Sequence, residues 1–258
     1  MATPSPEQSP TTRRAAVWNI FLDKHYLQDE RLPSIIETLR EQGEFDVVGI
    51  VEAGQGNGEK IAQAISGTPG LWYPHSRKKL GEHIGLFGPT IEPAEKIELG
   101  YNRRAVVTRL GDVAITAVHL RRPDEWYRSG PEQVEQAQAL IDYFADEEKV
   151  ILFGDFNGVR AQKPRRMLKA ADYELATTQL GRRPVRSFPT DEFPERLSRR
   201  EQLLLRLVGG MISIDAIYTK GVDVIDTDSF GGPSDHRGLW LEWLECVDEM
   251  NEEQDTLN

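Results

Sequence analysis

The chain has 258 residues, with 31 Lys and Arg against 42 Asp and Glu for a net charge of −11, and 39% of it is hydrophobic. That length supports one substantial core, and the acidic balance argues against a broad nucleic-acid footprint, because affinity for the phosphate backbone comes largely from Lys and Arg. Cys246 is the only cysteine, which excludes an intrachain disulfide and a thiolate metal cage. No run approaches the roughly 20 apolar residues of a membrane span and no apolar leader precedes the first strand, so the expectation is a cytoplasmic chain without a stably inserted segment.

In chain order, residues 1–12 are rich in Pro, Ser and Thr and are expected to form a disordered tail. Ala15 to Ile20 reads as a strand, Leu32, Ile35, Ile36 and Leu39 recur at helical spacing, and Asp46 to Glu52 reads as a second strand. Ala105 to Leu110 and Val113 to Leu120 are separated by Gly111-Asp112, which predicts a hairpin. Pro131 suits the first turn of a helix carrying Val134, Ala137, Leu140, Ile141 and Phe144. Lys149 to Gly154 is the next strand, and Glu195 to Leu207 the next helix. The apolar run within Leu203 to Ile214 reads either as an exposed interfacial segment or as a helix end followed by Gly209-Gly210 and a core strand.

Lys220-Gly221 separates Ile212 to Thr219 from Val222 to Ile225, predicting a second hairpin, and Gly238 to Leu244 forms a last apolar strand. Residues 247–258 are expected to be an acidic tail, leaving 13–246 as a single domain. Helices interspersed with hairpins and isolated strands indicate an α/β protein in which two mixed sheets pack together under helices.

The chemistry gathers where apolar strands end. In VILFGDFN, Asp155 and Asn157 lie two residues apart and therefore share a face at the end of a buried strand. An acid and an amide there can hold a water, a metal or a phosphate oxygen, or can simply close an Asx turn. Asp235 and His236 follow the turn Gly231-Gly232-Pro233, and Asp215 sits in an otherwise apolar strand, where a carboxylate needs a partner. An imidazole fixed by a carboxylate serves acid-base chemistry, although a purely structural Asp-His pair has the same residues. Asn19, Glu52 and His119 also stand at the ends of apolar strands. Arg103, Arg104 and Arg121, with Arg122 and Arg128, and later Arg182, Arg183 and Arg186, either line a phosphate site or are solvated surface.

The order WN, VE, TAVHL, GDFN, SIDAIY and SDH, spread over residues 17–243, resembles the endonuclease/exonuclease/phosphatase superfamily, also known as DNase I-like phosphoesterases. The resemblance implies a four-layer α/β/β/α sandwich with its site at one end of two packed sheets. It implies Mg²⁺, with Mn²⁺ able to substitute, near Glu52, Asn19 and Asp235. It further implies His236, oriented by Asp215, or alternatively Asp155, as general base, with His119 and Asn157 donating to phosphoryl oxygens. Two departures stand out: Val51 precedes the glutamate where many relatives have Gln, and the motif around Glu82-His83-Ile84-Gly85 is short. TAVHL also differs from the abasic-site endonuclease branch.

The function expected is hydrolysis of a phosphodiester or phosphomonoester, with a small-molecule or lipid headgroup favoured by the acidic charge. A DNA or RNA nuclease is the alternative, since Arg103, Arg104 and Arg121 flank His119, and a non-catalytic phospho-ligand module is a second. The chain is expected to act as a monomer. Substrate choice is expected in Gly70 to Gly81, Arg121 to Pro131 and Gln179 to Arg200, because loops on a rigid scaffold carry recognition.

Overall fold

A computed structural model describes residues 10–21, 28–74, 82–122, 130–158, 163–188 and 213–245. The first sheet contains β1 (Thr11–Asn19), β2 (Val47–Val51), β3 (Leu71–Pro74), β4 (His83–Phe87), β11 (Asp223–Phe230) and β12 (Gly238–Glu245) in the order β11-β12-β1-β2-β4-β3. The second contains β5 (Glu95–Gly100), β6 (Arg103–Leu110), β7 (Val113–His119), β8 (Val150–Asp155), β9 (Glu174–Leu175) and β10 (Asp215–Lys220) in the order β5-β6-β7-β8-β10-β9. The helices are α1 (Gln28–Glu41), α2 (Asn57–Ser66), α3 (Pro131–Tyr143), α4 (Lys163–Ala170) and the short α5 (Ala176–Gln179).

Each sheet is antiparallel except at its centre, where β1 runs parallel to β2 and β7 parallel to β8. Those central strands read VVGIV and VILFGD and are buried throughout, as strands covered on both faces must be. Edge strand β5 instead alternates buried and exposed residues. Between the sheets, Val17, Val51 and Leu86 pack against Val106, Ile115 and Phe153. A Cβ at Gly49 would lie 2.3 Å from the Phe153 ring, so glycine there sets how closely the sheets approach.

The outer faces are closed by helices. Trp18, Val48 and Ile50 meet Ile35 and Leu39 of α1 and Ile61 of α2, while Ala114, Val118 and Leu152 meet Leu140 of α3 and Leu168 of α4. The result is the expected four-layer α/β/β/α sandwich. None of the described helices is long and apolar enough to cross a membrane.

The Gly111-Asp112 hairpin forms, with Leu110 paired to Val113. The second expected hairpin does not. Strand β10 is already bonded on one edge to β8 and on the other to β9, so β11 crosses to the first sheet and pairs with β12. Gly221 makes that exit possible: it takes φ 63°, and a Cβ there would lie 2.2 Å from the Glu148 carbonyl oxygen. Thr11 and Thr12, placed in the tail on composition, belong to β1. The expected helix Glu195 to Leu207 and most of the apolar run to Ile214 lie outside the described residues.

Parallel pairing within each central pair puts the C-terminal ends of β1 and β2, and of β7 and β8, side by side. Antiparallel β10 and β12 bring their N-terminal ends to the same places, so that six strand ends share one pole.

Candidate active site

His119 and Asp155 are direct partners across β7 and β8, and Asp155 is in turn the register partner of Asp215 across β8 and β10. The facing sheet supplies Asn19, whose Nδ2 donates to Asp155 Oδ2 at 3.2 Å, and thereby links the sheets through their polar ends. Glu52, one residue beyond β2, has Oε1 3.5 Å from His119 Nε2, and that nitrogen is 3.8 Å from Asp155 Oδ2. His236 Nδ1 meets Asp215 Oδ2 at 2.8 Å. One side of its ring lies against Phe188, with centroids 4.9 Å apart.

Backbone geometry aims these groups. Gly154 takes φ 139°, and a Cβ on it would lie 2.1 Å from the Val118 carbonyl oxygen, so glycine lets β8 close on β7 just before Asp155. Its role is thus close strand packing. Glu52 and Asn157 hold φ 58° and 48°, conformations that cost non-glycine residues energy unless the surroundings compel them. For Asn157 the compulsion is visible: its N–H donates to Asp155 Oδ1 at 2.7 Å, an Asx turn, and its Nδ2 donates to the Leu120 carbonyl at 2.9 Å. One of its two amide hydrogens is therefore committed to the backbone. Ser234 Oγ donates to the Asn19 carbonyl at 2.7 Å and accepts the His236 N–H at 3.2 Å, fixing the loop that carries Asp235.

The pole holds more carboxylate than it can neutralise by itself. Burial, reinforced by Asp155, Glu82 and Asp235, pushes the Glu52 carboxyl up to about 8, although His236 acts in the other direction. Asp155 is likewise raised, first by burial and then by Asp215, against the opposing effects of His236 and the donors Asn157 and Asn19. Burial alone would favour a neutral His236, but the Asp215 carboxylate outweighs it, with help from Asp155 and Asp235, and the imidazole is strongly shifted toward its charged form.

The three arginines separate. Arg103 is largely buried, which lowers its pKa, and Glu82, Glu52 and Asp155 oppose that shift. Its Nη1 has no hydrogen-bond partner among the described residues. Arg104 is bonded to Glu98 at 3.0 Å and to the Pro74 carbonyl at 3.3 Å, and Arg121, partly exposed, lies 3.7 Å from Glu132 at the rim. Sequence reading passed over four residues that shape the pole: Glu82, Ser234, Phe188 and Arg31. Glu82 stood in a motif judged only by its shortness, Ser234 lay inside SDH and Phe188 lay within Gln179 to Arg200, a segment expected to carry substrate choice, but nothing in the neighbourhood of Arg31 signalled a role.

Hard oxygen donors and imidazole suit a divalent ion such as Mg²⁺ or Mn²⁺, and the raised Glu52 carboxyl is what a cation-binding pole without its counter-charge should show. One candidate set is Asp155, Asp215 and His236, whose ligand atoms lie within 4.8 Å of one another. Asn19 bonds Asp155 of that set, and Glu52 feels the charge of Asp235.

A family model described as the endonuclease/exonuclease/phosphatase family matches residues 16–236. No curated protein matches the chain. Among solved structures, Danio rerio TDP2 complexed with a single-strand DNA product superposes with a TM-score of 0.70 at 14% identity, covering 90% of this chain and 99% of that one. A mannosyl-6-phosphatase of Bacteroides thetaiotaomicron gives 0.66 at 15%, covering 90% and 100%. An endonuclease/exonuclease/phosphatase protein of Bacteroides vulgatus gives 0.70 at 16%, covering 91% and 100%. At such identities the likeness is one of fold.

Proposed function

The chain belongs to the endonuclease/exonuclease/phosphatase family, a family of metal-dependent phosphoester hydrolases, and from that premise we propose that it hydrolyses a small-molecule or lipid-headgroup phosphodiester or phosphomonoester by in-line attack of water. The observation that carries this reading is the meeting at one pole of Asn19, Glu52, His119, Asp155 and the Asp215–His236 pair, beside an Arg103 nitrogen without a partner among the described residues.

Asp155 accepts the proton of the attacking water. Its raised proton affinity brings it toward the working pH, where a general base is most effective. His236, charged against Asp215, then faces the negative charge growing on the phosphoryl oxygens instead of acting as base. Arg103, His119 and the second amide hydrogen of Asn157 donate to those oxygens. Glu52, Asn19 and Asp235 would hold Mg²⁺, or Mn²⁺ in its place, which would stabilise charge on the phosphoryl group.

The acidic chain, with net charge −11, supports a compact substrate over a long polyanion, and the likeness to a mannosyl-6-phosphatase agrees with it. The second reading, a nuclease, draws support from the likeness to TDP2 with its single-strand DNA product. The test is hydrolysis of bis(4-nitrophenyl) phosphate, a choline phospholipid, supercoiled plasmid and a single-stranded oligonucleotide, each with Mg²⁺, Mn²⁺ or EDTA. Turnover confined to the small and lipid esters, with shallow salt dependence, is expected. Metal-dependent cleavage of plasmid or oligonucleotide that falls steeply with salt replaces this reading with the nuclease.

A further inference from the structure

β1 and β12 pair in register only as far as Val17 and Leu239. Beyond that point the chains separate, one running through Asn19 to Phe21 and the other back through His236 to Pro233, and their backbone carbonyls need other donors. A single side chain from α1 supplies most of them. Arg31 donates from Nη2 to the Ile20 carbonyl at 2.8 Å, from Nη1 to the Phe21 carbonyl at 3.0 Å and from Nε to the Pro233 carbonyl at 2.9 Å, with a further Nη2 contact to Pro233. Trp18 Nε1 and Ser234 Oγ make the neighbouring crossings, to the His236 carbonyl at 2.9 Å and the Asn19 carbonyl at 2.7 Å.

We propose that Arg31 is a positioning residue: its guanidinium clamps the peptide after Asn19 to the peptide before Asp235-His236 and so fixes the spacing between Asn19 and the loop that carries His236. This rests on the reading of Asn19 and His236 as site residues. The fork geometry matters. Five N–H donors in one rigid plane reach three carbonyls on two segments, which the single ammonium of a lysine does not. Both clamped segments also need to be held. Phe21 sits at φ 46°, and Gly232 packs so closely that a Cβ would lie 2.5 Å from the Trp18 ring and 3.0 Å from Thr38 of α1. Helix α1, which covers the outer face of the first sheet, thereby also becomes a wall against which the Asp235-His236 loop is seated.

The test compares Arg31→Ala and Arg31→Lys with Arg40→Ala, a control on the same helix whose hydrogen bond runs to the Ala64 carbonyl of α2. In the full chain labelled with ¹⁵N-histidine, the ring signals of His236, assigned with His236→Ala, should shift or broaden in both Arg31 variants and stay in place in Arg40→Ala. With Mn²⁺ and bis(4-nitrophenyl) phosphate, kcat should fall about tenfold or more in Arg31→Ala with KM little changed, as misplacement of reacting groups predicts. Free guanidinium at low millimolar concentration should restore part of it in Arg31→Ala alone. Unmoved His236 signals in a folded Arg31→Ala overturn the proposal, as does a kcat loss matched by Arg40→Ala. Should the wild type turn over none of the esters, the functional reading fails separately, and the His236 signals still decide the clamp.

Discussion

The two poles of the sandwich treat charge in opposite ways. At the far pole, where β1 begins and β12 ends, Arg13 bonds Glu245 at 2.6 Å and Asp46 at 3.1 Å, Lys149 meets Asp112, and Arg109 meets Glu147. Each of these acids is ion-paired, with Glu245 and Asp46 sharing Arg13. At the near pole Glu52, Asp155, Asp215, Asp235 and Glu82 converge on two histidines and one deeply placed arginine, and burial, reinforced by the neighbouring carboxylates, raises two of those carboxyls. The strands and the core are shared by both ends, but the far-pole acids other than Glu245 are partly exposed, whereas those of the near pole are largely buried. A fold that pairs its acids at one pole and buries them in excess of cations at the other is suited there to a cation followed by a phosphate.

The sharpest way to break this contrast is at the near pole. His236→Ala and Asp155→Asn are each expected to lower turnover by about 10²-fold or more, the range of a general acid-base group, as read from kcat/KM on bis(4-nitrophenyl) phosphate. If Asp155 is the base, Asp155→Asn should also flatten the acid limb of the pH–rate profile, whereas His236→Ala should lower the profile without removing that limb.

Next in size is the pH dependence of stability without metal. The folded Glu52 carboxyl sits at about 8 against an ordinary value of 4.5, so between those limits the unfolded chain binds fewer protons than the folded one. Stability is therefore fullest at the acid end of the window and falls as pH rises, by at most about 1.4 kcal/mol per pH unit from this group. His236, raised from 6.5 to about 10, loses its contribution between those values, so it adds to the decline above about pH 6.5 and extends it to more alkaline pH. Melting curves in EDTA should decline from pH 5 to 8, the decline should lessen in Glu52→Gln, and Mn²⁺ should stabilise the wild type increasingly toward pH 8 as the ligands give up protons. A flat profile in EDTA would remove the case for uncompensated acid at this pole.

Arg103→Ala should weaken substrate use about tenfold, mainly through KM, while Arg104→Ala, whose guanidinium is bonded to Glu98 and Pro74, should change it less than about twofold. Smallest of all is the far pole. Arg13→Ala should cost about 1 kcal/mol of stability by leaving the buried Glu245 without its partner, with no change in kcat.

The same contrast explains what the sequence could and could not disclose. Near-pole residues stand directly after runs such as VVGIV and VILFG, and a polar residue that ends a buried strand is visible in one dimension because the pattern of burial is itself local. Strand and helix periods disclosed two packed mixed sheets under helices for the same reason, while the four-layer order was implied by the family resemblance. Pairing partners were not. Lys220-Gly221 has the signature of a hairpin turn, yet β10 had both edges filled by strands far away in sequence, and no local signal records that. Arg31 was hidden similarly: its three carbonyls lie 10, 11 and 202 residues away. Edge strands β3, β5 and β9 and helices α2 and α4 were missed because they are short: four, six and two residues in the strands, ten and eight in the helices.

The central claim, that the near pole is a metal-dependent phosphoesterase site, is tested most directly by assaying bis(4-nitrophenyl) phosphate hydrolysis with wild type and His236→Ala in Mg²⁺, Mn²⁺ and EDTA. Turnover in either metal, abolished by EDTA and lowered about 10²-fold or more in His236→Ala, is the predicted result. Turnover that persists in EDTA, or that His236→Ala leaves at the wild-type rate, would contradict it.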